Sequence, residues 1–217
     1  RVRALADAVH FDPAAFTFLR ALARHNARGW FPANQPRYEA HVRQPFLRLI
    51  GRLQQPLATI SSHYRADPRA QGGSLFRIHR DTRFANDKTP YKTWSGARFF
   101  HERGRDLAAP SFYLHLQPGA SFVGAGLWHP EAPTLNRIRH FIVDNPAAWT
   151  AATRSKAFTR HYELGGESLV RPPRGYDPAH PLIDDLKRKS FTAWIALDDA
   201  TMTSARLPTV VGGHFRG

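Results

Sequence analysis

Between Arg77 and Thr93 the chain places Arg77, Arg80, Arg83, Lys88 and Lys92 among Asp81, Asp87 and Tyr91. Planar guanidinium forks grip carboxylate or phosphate through paired hydrogen bonds, and ammonium groups add point charges. Tyr91 and Thr93 would supply further hydrogen bonds to such a ligand. Asp81 would orient an Arg, or act as a general base if its pKa were raised. His79 is the other candidate for acid–base work. If the segment is a strand, Arg77, His79, Asp81 and Arg83 share one face by period two. Pro90 holds Thr89 extended and stiffens the loop. The competing reading is structural: Asp81 and Asp87 pair with these cations and brace a long loop.

Other chemistries find little support. His79-Arg80-Asp81 with Asn86 matches the phrase H-R-D-x-x-x-x-N of kinase catalytic loops. Too few residues precede it for a nucleotide-binding lobe, so we read it as coincidence. Gly124-Ala-Gly126 lacks the third Gly of a dinucleotide fingerprint, and no P-loop, H-E-x-x-H or G-x-S-x-G is present. Cysteine is absent, which removes thiol nucleophiles, disulfides and Cys-ligated zinc. Scattered histidines such as His79 and His115 are read as hydrogen-bonded side chains, and no metal is assigned. No cofactor or reaction follows from these residues.

The elements that must position the cluster can be read from periodicity. Asp12 and Pro13 open a helix carrying Phe16, Leu19 and Leu22, expected to stop at Gly29 in a left-handed cap. Trp30-Phe31-Pro32 reads as a corner, and Asn34 as the cap of a second helix burying Tyr38, Val42, Phe46, Leu49 and Leu53. Pro45 predicts a kink or break near Gln44. Four strands are expected next: Ser74–Arg80 with Phe76 and Ile78 inward, Trp94–His101, Ser111–Gln117 and Ser121–Trp128. A polar turn, Glu102 to Asp106, and a type II turn at Pro118-Gly119 join them. Thr134 is expected to cap a helix ending at Asn145, Pro146 starts another, and 182–187 forms a short one. Residues 162–176 make a hairpin or extended loop, and Phe191–Leu197 a last strand. The fold class is α+β: one domain with an antiparallel meander of four to six strands packed by helices.

The run Arg77-x-x-Arg80-Asp81-x-Arg83-Phe84-x-x-x-Lys88-x-Pro90-Tyr91-Lys92-Thr93 resembles the signature of a conserved hypothetical family, DUF2461. Phe18-Leu19, Leu22, Asn26, Arg28, Trp30-Phe31 and Tyr38 resemble its opening helix and corner, with His25 in place of a second Asn. Gly124, Gly126, Trp128 and Pro130 resemble its later strand. The resemblance implies a shared fold and a shared site but no reaction. Such proteins continue into a closing helix, so an incomplete C-terminus is expected after Gly217.

The 217 residues carry a formal charge of +14 and a pI near 11.1. That charge invites a nucleic-acid partner. It is spread along the chain, however, with Lys187-Arg188-Lys189 its one short run. No apolar stretch approaches the ~20 residues of a membrane span, and zero cysteine fits a cytoplasmic protein. The leading expectation is a phosphate- or carboxylate-bearing small molecule at Arg77, Arg80, Asp81, Arg83, Lys88, Tyr91, Lys92 and Thr93. A nucleic-acid-binding module and a structural or interaction protein are the alternatives.

Overall fold

The computed structural model describes residues 8–104 and 108–217, so the end of the expected Glu102–Asp106 turn lies outside the described residues. Helix α1 (Pro13–Arg24) starts as expected, the Asp12 carboxylate accepting from the Ala15 N–H at 3.0 Å. It stops earlier than expected, at His25. Gly29 has φ −79 and precedes helix α2 (Trp30–Tyr38) instead of ending α1 left-handed. The supposed corner is thus the first turn of α2. Asn34 lies inside that helix, bonding back to the Trp30 carbonyl at 3.0 Å rather than capping it.

A π-helical turn, Glu39–Arg43, follows before α3 (Gln44–Ile60). Its cause is Pro45, which has no N–H and crowds the carbonyl four residues back. The Gln44 N–H bonds instead to the Glu39 carbonyl, five residues back. The irregularity expected near Gln44 is therefore a widened turn.

Six strands and six more helices complete the described elements. They are β1 (Tyr64–Arg65), β2 (Ser95–His101), β3 (Ser111–Leu116), β4 (Ser121–Leu127), α4 (Ala132–Asp144), α5 (Pro146–Arg154) and α6 (Lys156–Thr159). After them come β5 (Glu163–Gly165), α7 (Ile183–Leu186), β6 (Phe191–Leu197), α8 (Asp199–Met202) and α9 (Leu207–Arg216). The strands form an antiparallel sheet in the order β1-β2-β3-β4-β6-β5, an α+β fold. Residues 74–80 form no strand. They run extended, with isolated bridges Leu75↔Ala97 and His79↔Tyr91. Gly119 has φ +70, as a type II turn requires. Thr134 sits within α4, which is preceded by Glu131.

The described residues cluster into two compact units. The first lies within Arg1–Glu102, Phe112–Val123 and Ala196–Gly217. Its core joins Phe16, Phe18, Leu19 and Leu22 of α1 to Phe46, Leu49, Ile50, Leu53 and Leu57 of α3. Helix α9 packs on α3, and Gly212 permits it, since a Cβ there would meet the Pro56 ring at 2.9 Å. Phe215 of α9 covers the sheet, its ring 5.4 Å from Phe99 and 4.8 Å from Phe112.

The second unit lies within Arg103–Ser111 and Gly124–Ile195. Ile142, Leu182 and Leu186 form its core, flanked by Ile138, Trp149, Tyr176 and Phe191. Asp185, 3% exposed, accepts from Trp149 Nε1 at 3.0 Å and from Arg154 at 2.9 Å, with Arg188 at 3.3 Å. Buried carboxylates need such partners. Gly126, at φ +142, lies so close to the Phe191 carbonyl that no side chain would fit.

Candidate functional site

The first unit holds an open cleft of about 560 Å³. One wall is α2 and the π turn, contributing Phe31, Gln35, Tyr38, Glu39 and Arg43. The other is the segment 70–79, a turn at 70–74 followed by Leu75, Phe76, Arg77, Ile78 and His79. Asn26, just beyond the end of α1, pins Tyr91, which bridges to His79 of that segment. Its amide nitrogen donates to the Tyr91 carbonyl at 2.8 Å and its amide oxygen accepts the Tyr91 N–H at 3.0 Å. Tyr91 is thereby seated on Phe31, the rings 4.4 Å apart and nearly parallel, and the His79 ring lies 5.2 Å from Tyr91.

Charge in the cleft is uneven. Arg43 donates to both Glu39 oxygens, at 2.8 and 3.1 Å, and to the Ala70 carbonyl at 3.0 Å. Gln35, Arg77 and His79 have exposed polar side chains that make no hydrogen bond among the described residues. Tyr38 differs from them, being 5% exposed. Its ring is packed 5.8 Å from Phe18 and 5.5 Å from Phe31. Burial pushes its phenol up to about 12, with Arg43 pulling down and Glu39 pushing up. Its hydroxyl bonds to nothing among the described residues, yet it is not one of the oxygens sealed from solvent.

The loop after His79 is braced by its own acids. Arg80 pairs with Asp87 and also donates to the Thr89 hydroxyl. The Thr89 N–H and these neighbours hold the Asp87 carboxyl at about 2. Arg83 pairs with Asp81 at 2.7 Å, which holds that carboxyl below the usual range. Lys88 donates to the Thr82 carbonyl at 2.9 Å. Both ion pairs are largely exposed, and such pairs contribute little to stability.

Lys92 lies beside Arg77 but outside the cleft lining. Its ammonium donates to the Arg77 carbonyl at 2.6 Å and stands 5.6 Å from the Phe76 ring and 5.2 Å from Trp94. Its pKa is lowered by burial and then by the Arg77 charge. Neither Lys92 nor Arg77 forms an ion pair with a carboxylate among the described residues, though the Asp81 carboxylate acts on Arg77 from farther off. Phe76, expected inward, is 37% exposed, because it roofs Lys92 and meets Tyr113 at 5.9 Å. Beneath it runs a relay along one face of β3. Tyr113 OH lies 2.9 Å from His115 Nδ1, and His115 Nε2 lies 2.9 Å from the Gln117 carbonyl oxygen. If Gln117 accepts from Nε2–H, Nδ1 is left to accept the Tyr113 proton. Burial lowers the pKa of His115 and raises that of Tyr113. Gly96 makes this possible, since a Cβ there would strike the Tyr113 hydroxyl.

The conserved hypothetical family DUF2461 matches residues 14–217. The chain belongs to that family. No curated protein and no solved structure matches it. In this DUF2461 chain the cleft receives Arg77 and His79 from the expected set. Arg80, Asp81, Arg83 and Lys88 lie on the braced loop outside the cleft lining, and Tyr91, 5% exposed, is a packing residue. Lys92 and half-buried Thr93 follow it. Sequence reasoning treated Tyr38 as part of a buried helix face and passed over Gln35, Glu39 and Arg43. The Pro45 signal marked their turn as irregular, though nothing local marked it as a cleft wall. Among the described residues no three His, Asp or Glu side chains converge as a metal ion would require.

Proposed function

We propose that this protein binds a small anionic ligand, a carboxylate or phosphate, through Arg77 with Lys92 beside it. The observation that carries the reading is a contrast among neighbouring cations. Arg80 and Arg83 each form an ion pair with a carboxylate, whereas Arg77 and Lys92 lie close enough to repel and form none among the described residues, Asp81 acting on Arg77 only from a distance. An anion at Arg77 removes that repulsion and supplies the charge-assisted hydrogen bonds the guanidinium lacks. Arg80, Arg83 and Lys88 hold the loop that carries the pair. Asp81, tied to Arg83, is left out of the binding set.

Thermal-shift titration with inorganic phosphate and with citrate tests this. Ligand at one hundred times its Kd raises stability by about 2.7 kcal/mol, a rise of roughly 5–10 °C for a chain of this size. The shift should disappear in Arg77→Ala and shrink in Lys92→Ala, both folded at the unliganded melting temperature. An equal shift in Arg77→Ala, or no shift with either anion, defeats the reading.

A further inference from the structure

We infer that the cleft beside Arg77 takes a monocarboxylate with an aromatic or similarly apolar body and a hydrogen-bonding group remote from the carboxylate. This rests on the anion-binding reading above and narrows its ligand class. Three observations carry it.

The first is charge. Glu39 cancels Arg43 inside the cleft, leaving Arg77 as the one permanent cation of the described lining without an ion pair there, with Asp81 of the loop acting on it from outside the lining. With that pair neutral, one net positive charge in the lining matches a monoanion better than a phosphate dianion. The second is the lining itself. Phe31, Leu75 and Ile78 are apolar side chains of a cleft whose volume falls in the range of about 300–1,000 Å³ usual for small-molecule sites. Phe31 and Ile78 are themselves nearly buried, and it is half-buried Leu75 and 37% exposed Phe76, also in the lining, whose apolar surface acetate or inorganic phosphate would leave wet.

The third is Tyr38. Tyr38 is 5% exposed, and its hydroxyl, which reaches solvent, has no hydrogen-bond partner among the described residues and is free to bond a ligand. Tyr38 lines the cleft, so a ligand group placed there completes the pairing. Its ring cannot turn away, being packed against Phe18 and Phe31. Its phenol is protonated at neutral pH, so it can donate as well as accept.

A ladder of three probes tests the inference by calorimetry or ligand-observed NMR: acetate, phenylacetate and 4-hydroxyphenylacetate. Phenylacetate should bind at least tenfold tighter than acetate, and 4-hydroxyphenylacetate several-fold tighter again. Tyr38→Phe should erase only the second gain, and Arg77→Ala should weaken all three probes. Tyr38→Phe keeps the packed ring, and an unchanged melting temperature confirms that its fold survives. Phenylacetate binding no tighter than acetate overturns the inference while leaving simple anion binding intact. A 4-hydroxyl gain that persists in Tyr38→Phe overturns the role of Tyr38. If all three probes, phosphate and citrate fail to bind, both readings fall.

Discussion

Replacing Asn26 by Ala should destabilise the first unit more than any surface polar substitution, although Asn26 itself is only half-buried. Its amide makes two hydrogen bonds to the backbone of one residue 65 positions away, at 2.8 and 3.0 Å. Tyr91, whose N–H and C=O would lose those partners, is 5% exposed. A net hydrogen bond contributes about 1 kcal/mol, and a buried group left unpaired costs about 1–3 kcal/mol, so the pair should cost roughly 2–4 kcal/mol. For a chain of this length that is a fall of roughly 5–15 °C in melting temperature. Asn26→Asp sharpens the test. Aspartate still accepts the Tyr91 N–H but sets an oxygen against the Tyr91 carbonyl, so at neutral pH it should be as damaging as Ala. Protonation restores a donor, and the carbonyl raises the folded-state pKa of that carboxyl above its unfolded value. The recovered stability is therefore present at acid pH and is lost as pH rises through the raised pKa. Urea denaturation between mildly acid and neutral pH, relative to the wild type, reads both effects. An Ala variant within about 0.5 kcal/mol of wild type, or an Asp variant whose deficit ignores pH, would refute the clamp.

Two further outcomes follow from buried groups. Tyr38 ionises near 10.0 when unfolded and at about 12 in the fold, so its stabilisation is complete below pH 10 and lost between 10 and 12. At about 1.4 kcal/mol per pKa unit this amounts to roughly 2–3 kcal/mol, and Tyr38→Phe should decline less steeply than wild type across that window. Matching slopes in denaturation midpoint against pH would count against it. In the second unit, Gly126→Ala places a methyl against the Phe191 carbonyl at a φ of +142 that L residues avoid. It should cost more than about 3 kcal/mol by combined strain and collision, and a loss below about 1 kcal/mol on thermal melting would contradict that backbone geometry.

Periodicity and punctuation made much of the fold legible. Asp12-Pro13 starts α1, Pro146 starts α5, and the alternation of 111–117 and the β-formers of Phe191–Leu197 mark their strands. These signals are local, so they survive without a tertiary context. Misreadings came where distant partners decide. Gly29 has a glycine's freedom but keeps φ −79, because the chain enters α2 directly. Phe76 alternates like a core residue, but 74–80 only bridges its neighbours, and Lys92 draws the ring outward. Helix α9, whose Gly212 and Gly213 weaken its local signal, forms where α3 and the sheet give it a surface to cover.

The basic stretch from Arg77 to Thr93 was visible in the sequence as a concentration of charge, and its resemblance to DUF2461 located it in the family. Composition could not say which cations are balanced, because an ion pair depends on distances between side chains. The tertiary structure made that division. It gave Arg80 and Arg83 to Asp87 and Asp81, and set Arg77 at a cleft with Tyr38. Tyr38 and Arg77 are far apart in sequence, and only the packing of α2 and the π turn against the 70–79 segment brings both into one lining.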